Sequence, residues 1–165
     1  MKHTISVLVE NHPGVLARIS GLFSARGFNI DSLAVGETED PTASRMTIVV
    51  EGDERTLEQV KKQLNKLINV ITVQDLTKKK FLDRELVLIK VKALTAKDRA
   101  QIIDISETTQ ANVADVALET ITVEATGESS KIENLIKLLR PFGISEIVRT
   151  GKIAMAKEEK EAKEE

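Results

Sequence analysis

Apolar residues recur along this chain at two alternating spacings. Residues 4–10 (TISVLVE) are dense in β-branched and apolar types and predict a strand. Asn11-His12-Pro13-Gly14 follows as a turn cluster. Val15, Leu16, Ile19, Leu22 and Phe23 then fall at helical spacing, the apolar stripe of an amphipathic helix. Gly27 stands where a left-handed residue would end that helix. Residues 28–37 predict a second strand. Its apolar phase shifts between Phe28/Ile30 and Leu33/Val35, which predicts a bulge near Asp31-Ser32. A polar loop, Thr38 to Thr42, leads to a strand over 44–51. Gly52-Asp53 opens a helix with stripe Leu57, Val60, Leu64 and Leu67, and residues 70–76 close the unit as a strand.

Thr77 to Arg84 (TKKKFLDR) is charged and lacks apolar periodicity, so it reads as a linker. The order then repeats: a strand over 86–91, a helix over 96–108, and strands over 112–118 and 120–125 in a tight hairpin. A helix over 130–140 carries the stripe Ile132, Leu135, Ile136 and Leu139 and is stopped by Pro141; residues 144–150 form the last strand. Gly52-Asp53, Leu57, Glu58, Val60 and Leu64 match Gly127-Glu128, Ile132, Glu133, Leu135 and Leu139 at one constant offset, which points to an internal duplication. The boundaries are therefore a first domain over 1–77, a linker over 78–84, a second domain over 85–156 and a charged tail over 157–165 that reads as a solvated end.

Two βαββαβ units give an α+β fold, each unit an antiparallel sheet with both helices on one face. The other face of the first sheet is expected to stay open, with Leu8 and Val49 among polar residues. Small units bury a small share of their surface, so pairing through sheet edges or open faces is expected, and with it an oligomer.

Composition narrows the chemistry. The hydrophobic fraction of 41% supports a packed core. Net charge is −2, from 24 basic and 26 acidic residues, so no whole-chain field favours nucleic acid or an anionic membrane. The aromatics amount to 2% and are all Phe, which argues against base-stacking platforms. There is no cysteine, hence no thiolate nucleophile and no Cys-based metal site. His3 and His12 share no metal-ligand spacing. No Gly-x-Ser-x-Gly or Gly-Lys-Ser/Thr stretch occurs, and the carboxylates mostly alternate with lysines on helix faces. No catalytic or metal site is expected. The N-terminus runs directly into a strand, without a signal peptide or long apolar run, and the expected location is the cytoplasm.

The segment Asn11 to Val15 joins a strand to a helix. Pro13 is read as the first helical residue, where its missing N–H costs nothing. The amides of Gly14, Val15 and Leu16 are then free at a positive dipole end, a natural seat for a carboxylate. Gly14 admits a ligand close to the backbone, and Asn11 offers a donor and an acceptor to a zwitterionic amino acid. The same residues also suit a plain structural role, with Asn11 capping its own helix and Gly14 easing a tight turn. His12 reads as an exposed loop residue that would make sensing pH-dependent if it neighboured a ligand. Asn29 reads as a strand-start residue, Arg45 as a surface charge or ion-pair partner, and Arg18 and Arg26 as solvated.

The blocks VENHPGVL, GLFSARGFNIDSL and SRMTIVVEGD resemble the N-terminal domain of the small regulatory subunits of acetohydroxyacid synthase, also called acetolactate synthase. The likeness continues through LEQVKKQLNKLINVITVQDL and, in layout, from Arg84 to about Ile153. The resemblance implies an N-terminal ACT domain followed by a second ferredoxin-like domain. It implies a non-catalytic subunit that binds the catalytic large subunit, raises its activity and makes it sensitive to branched-chain amino acids, typically valine. Thiamine diphosphate, FAD and magnesium would belong to that partner, with no cofactor in this chain. The effector would sit where two ACT domains meet as a dimer or larger assembly. Asn11, Gly14 and Val15 would come from one protomer, and Asn29 and Ile30 from the other. His12, Pro13 and Leu16 complete the candidate set, with Val15, Leu16 and Ile30 lining an apolar pocket. The alternative is a stand-alone amino-acid-binding ACT module that regulates a different enzyme.

Overall fold

Strand β1 (Lys2–Glu10) sits inside a four-stranded antiparallel sheet ordered β2-β3-β1-β4, with β2 (Ile30–Glu37), β3 (Ala43–Glu51) and β4 (Val70–Asp75). The computed structural model describes residues 1–158. Ile5 pairs with Ile48 and Val7 with Met46, so alternation places these four on one face. Helices α1 (Val15–Ala25) and α2 (Glu54–Asn65) close that face with Val15, Ile19, Phe23, Leu57, Val60 and Leu64, all buried. The register of β2 against β3 shifts between Ile30 and Ser32, the bulge expected from the apolar phase change.

The end of α1 shows how a few residues fix a helix stop. Gly27 has φ +70°. Its amide donates to Ser24 O at 3.1 Å and that of Phe28 donates to Phe23 O at 3.0 Å, the paired bonds of a Schellman motif. The Phe28 ring meets Phe23 edge to face, centroids 6.5 Å apart. A Cβ on Gly27 would meet nothing within 4 Å, so only the backbone conformation demands glycine. Gly27→Ala is expected to destabilise this unit by about 1 kcal/mol in urea denaturation, with Gly27→Asn recovering part of the loss.

The second unit repeats the order with β5 (Phe81–Lys92), α3 (Ala96–Thr108), β6 (Asn112–Val116), β7 (Thr120–Gly127), α4 (Ser129–Leu139) and β8 (Ile144–Arg149), strand order β6-β7-β5-β8. It has its own core of Val87, Ile89, Val91, Ile121, Val123, Ile132, Leu135 and Leu139. The proposed duplication has a structural counterpart. Gly52 and Gly127 each precede a helix cap, and a Cβ on either would come within 2.6 Å of the side chain four residues on, Thr56 or Lys131. At the cap itself, Asp53 accepts from Thr56 N at 2.7 Å, a bond that holds its carboxyl below the usual carboxylate range. Glu85, 5% exposed, is met by the Arg149 guanidinium through Nε and Nη2. Glu85's hydrogen bonds push the Arg149 pKa above its ordinary value, and Glu133 adds to the effect.

Three sequence expectations change. β5 begins at Phe81, so only the first part of the 78–84 segment is a connection. The chain leaves the first unit after Leu82 and returns to it at Lys152, inside the stretch assigned to 85–156. A ninth strand, β9 (Ile153–Ala156), pairs with β5, whose first residues belong to the same unit, and lies against β1 and β3. Part of the outer sheet face is therefore covered: Thr4, Ser6, Thr47 and Val49 are each 3–4% exposed and Leu8 is half-buried, while Arg45 and Thr72 on the same face stay exposed. Four residues are too few to show a period, and Ala154 carries little apolar signal. Of the charged tail over 157–165, residues 159–165 lie outside the described residues.

Candidate functional site

β1 ends in a tight, well-anchored turn. Glu10 N donates to Asn69 O at 2.9 Å, Asn11 N to Thr42 O at 2.7 Å and His12 N to Glu10 O at 3.1 Å. Gly14 then takes φ +85°, ψ −7° and stands at the N-cap of α1. Pro13 thus precedes the cap and is not the first helical residue, because the chain needs the left-handed step at Gly14 to enter the helix. Val15 N donates to His12 O at a long 3.4 Å, and the regular helical ladder starts with Arg18 N to Gly14 O at 3.0 Å. Among the described residues the amides of Gly14, Leu16 and Ala17 have no protein acceptor, and no side chain caps the helix. The free donors are thus shifted from the expected Gly14, Val15 and Leu16. Nothing lies within 4 Å of a Cβ built on Gly14, so the approach to these amides is clear.

Asn11 does not cap α1. Its Nδ2 donates to Glu37 Oε1 at 3.1 Å and to Pro41 O at 3.0 Å, which ties the turn to the end of β2 and to the following loop. The donors of Asn11 are engaged, and Oδ1 remains as an acceptor. The loop is stiffened by Asp40, which accepts from the Thr42 hydroxyl at 2.7 Å and from its amide at 2.9 Å; these bonds hold the Asp40 carboxyl below the usual carboxylate range. On the other side His12 Nε2 is 3.2 Å from Glu10 Oε2, which also accepts from Asn69 Nδ2 at 2.8 Å. Arg18, expected to be solvated, donates to Asn69 Oδ1 at 2.6 Å. Glu10, Glu37 and Asn69 were not singled out in the sequence. Glu37 and Asn69 meet only partners remote in the chain, and Glu10 meets Asn69 as well as nearby His12, so no local spacing signals the set.

The remaining candidates lie elsewhere in the protomer. Val15 is 6% exposed and belongs to the core, whereas Leu16 is 42% exposed, so adjacent helix positions point these two apart. Ile30 is half-buried against the same core. Val15, Leu16 and Ile30 therefore form no pocket within one chain. Asn29 is exposed, and its Nδ2 donates to Asp31 Oδ1 at 3.0 Å. Ile30 pairs with Val50, while Glu37 pairs with Ser44 near Asn11. Asn29 and Ile30 thus stand at the far end of β2 from Asn11, roughly 23 Å away at the strand rise per residue. Arg45, on the outer face, donates to Ser6 Oγ at 3.1 Å.

Residues 5–72 match the family described as the AHAS small subunit-like ACT domain, and residues 84–158 match the small subunit of acetolactate synthase. Over 155 residues the chain is 57% identical to the acetolactate synthase small subunit of Mycobacterium leprae, covering 94% of this chain and 91% of that protein. The chain belongs to the acetolactate synthase small-subunit family. Within the family it is also similar to the probable small subunit of Archaeoglobus fulgidus, 52% identical over 157 residues, which covers 95% of this chain and 98% of that one. The crystal structure of the small subunit from Thermotoga maritima matches with a TM-score of 0.85 at 40% identity, over 96% of this chain and 99% of that one. The first unit is accordingly the family's ACT domain, and the two-unit α+β fold is the small-subunit fold. Among the described residues no helix is long and apolar enough to cross a membrane, and no group of three or more His, Asp or Glu is placed to hold a metal ion.

Proposed function

We propose that this small subunit is a non-catalytic regulator. It binds the catalytic large subunit of acetohydroxyacid synthase, raises its activity and confers feedback inhibition by branched-chain amino acids, valine foremost. Thiamine diphosphate, FAD and magnesium are held by that catalytic partner. The observation that carries the reading is the placement of two groups along one free strand edge. β2 is an outer strand of its sheet, with the Asn11–Gly14 turn at one end and Asn29 at the other. Two copies joined antiparallel along β2 bring Asn29 and Ile30 of one copy to the α1 start of the other. An amino acid seated there has its carboxylate on the amides of Leu16 and Ala17, favoured by the helix dipole. Asn11 Oδ1 accepts from its ammonium, and exposed Leu16 and Ile30 of the second copy meet its apolar side chain.

Such a site is shared by two chains, so effector binding favours one arrangement of the assembly over another. A differential of about 1–3 kcal/mol alters the partner's activity some 5–150-fold. One methylene is worth about 1–3 kcal/mol, so leucine and isoleucine are expected to compete with valine. The test is to mix the protein with its cognate catalytic subunit, follow acetolactate formation with and without valine, and titrate all three amino acids by calorimetry. Asn11→Ala is expected to weaken valine at least tenfold. A mixture that behaves like the catalytic subunit alone, with or without valine, would overturn the proposal.

A further inference from the structure

β9 is paired along one edge with β5, and its hold on the ACT sheet itself is through side chains. Lys152 N donates to Ser32 Oγ at 2.9 Å, and Ala154 N to Thr47 Oγ1 at 3.2 Å. Thr47 faces away from the helices because its neighbours Met46 and Ile48 face them. Ala154 is 8% exposed, but Ile153 and Met155 are 58% and 71% exposed, so little apolar area holds the strand down. Lys157 N donates to Lys80 O at 2.8 Å, and Lys152 Nζ lies 5.6 Å from the Phe81 ring centroid. Segments with few buried apolar contacts open at low cost.

Two neighbours make this attachment informative. Ser32 lies in the β2 bulge, two residues beyond Ile30 and three beyond Asn29. A bulge is where a strand re-aims its side chains. Gly151, directly before Lys152, has φ +83° and is the last residue of the second unit. One short segment therefore both grips the bulge and receives the chain from the second unit.

We infer that residues 152–156 form a two-state strap that reads effector occupancy at the start of β2. The strap is seated on Ser32 and Thr47 in one state and released in the other. An effector that engages Asn29 and Ile30 changes the bulge, and with it the position of the Ser32 hydroxyl. The seated and released states thereby acquire different effector affinities, which is what coupling requires. Release also frees the chain at Gly151. The inference rests on the effector site proposed above.

The experiment uses the full chain reconstituted with its cognate catalytic subunit. The variants are Ser32→Ala/Thr47→Val, which removes both hydroxyl acceptors, and Ala154→Asp, which charges the buried strap position. Hydrogen exchange over 152–157, valine calorimetry, thermal melting and valine inhibition are read together. In the wild type, saturating valine is expected to change strap exchange at least threefold. In both variants the strap is expected to exchange roughly tenfold faster. Valine affinity is expected to shift by no more than the factor by which valine changes strap exchange in the wild type, and the extent of inhibition to fall several-fold. Exchange unchanged by valine in the wild type, exchange unchanged in both variants, or full inhibition with a released strap would overturn the inference. A wild-type protein that neither binds valine nor responds to it defeats the effector reading itself. A responsive wild type with equally responsive variants defeats the strap alone.

Discussion

Gly14→Asp is expected to abolish the response to valine, while Gly14→Asn keeps most of it. Gly14 holds φ +85°, a conformation that Asn and Asp tolerate better than other residues with a Cβ. A Cβ there meets no protein atom within 4 Å, so neither substitution is expected to clash. The two variants share size and backbone cost and differ in charge. The new carboxylate would sit at the N-cap and compete for the amides of Leu16 and Ala17, while repelling the effector's own acid group. A loss of at least a hundredfold in affinity corresponds to about 2.7 kcal/mol. The carboxylate also suits a helix start, so the melting temperature of Gly14→Asp is expected to match or exceed that of Gly14→Asn. Calorimetry and melting on both proteins decide the matter. A Gly14→Asp protein that titrates like the wild type rules out the amide seat.

Phe23→Ala is expected to cost about 3–5 kcal/mol, a large part of the 5–15 kcal/mol typical of a domain. Phe23 is 1% exposed and sits in the first unit's core between α1 and the sheet. It also meets Phe28 edge to face, a pairing worth about 0.5–1.5 kcal/mol beyond area burial. Its carbonyl accepts the amides of Arg26 and Phe28 that stop the helix. Truncation therefore opens a cavity and loosens the helix end together. The second unit has a core of its own, so the loss should be local. In urea, hydrogen exchange is expected to show β1, β3 and α1 losing protection well before β5, β7 and α4. Simultaneous loss in both units would contradict separate cores.

The elements were legible where a period had room to show itself. The helix expected over 96–108 is α3 (Ala96–Thr108), the phase shift in 28–37 is a real bulge, and Gly27 ends α1 as its position suggested. These signals are local, set by a few residues within one or two turns. The layout of the α1 turn was less legible. Pro13 beside Gly14 looked like a helix start, but the left-handed glycine moved the start to Val15 and shifted the free amides. Asn11 looked like a cap, but Glu37 and Pro41, remote in the chain, claim its donors. Pairings such as Glu10 with Asn69 and Ser32 with Lys152 exist only once sheet register has brought distant residues together. The separation of Asn11 from Asn29 follows from the same register, which no motif records.

The strand that lies on part of the ACT sheet's outer face is synthesised after the whole second unit. At roughly 5–20 residues per second, a ribosome needs about 3–14 s to pass from Asp83 to Gly151. During that interval the Ser32 and Thr47 hydroxyls of the nascent first unit lack the Lys152 and Ala154 amides that donate to them in the finished chain. Its finished form must therefore await the arrival of Ile153–Ala156, and a chain broken off before Lys152 would leave the biosynthetic machinery with both hydroxyls unengaged.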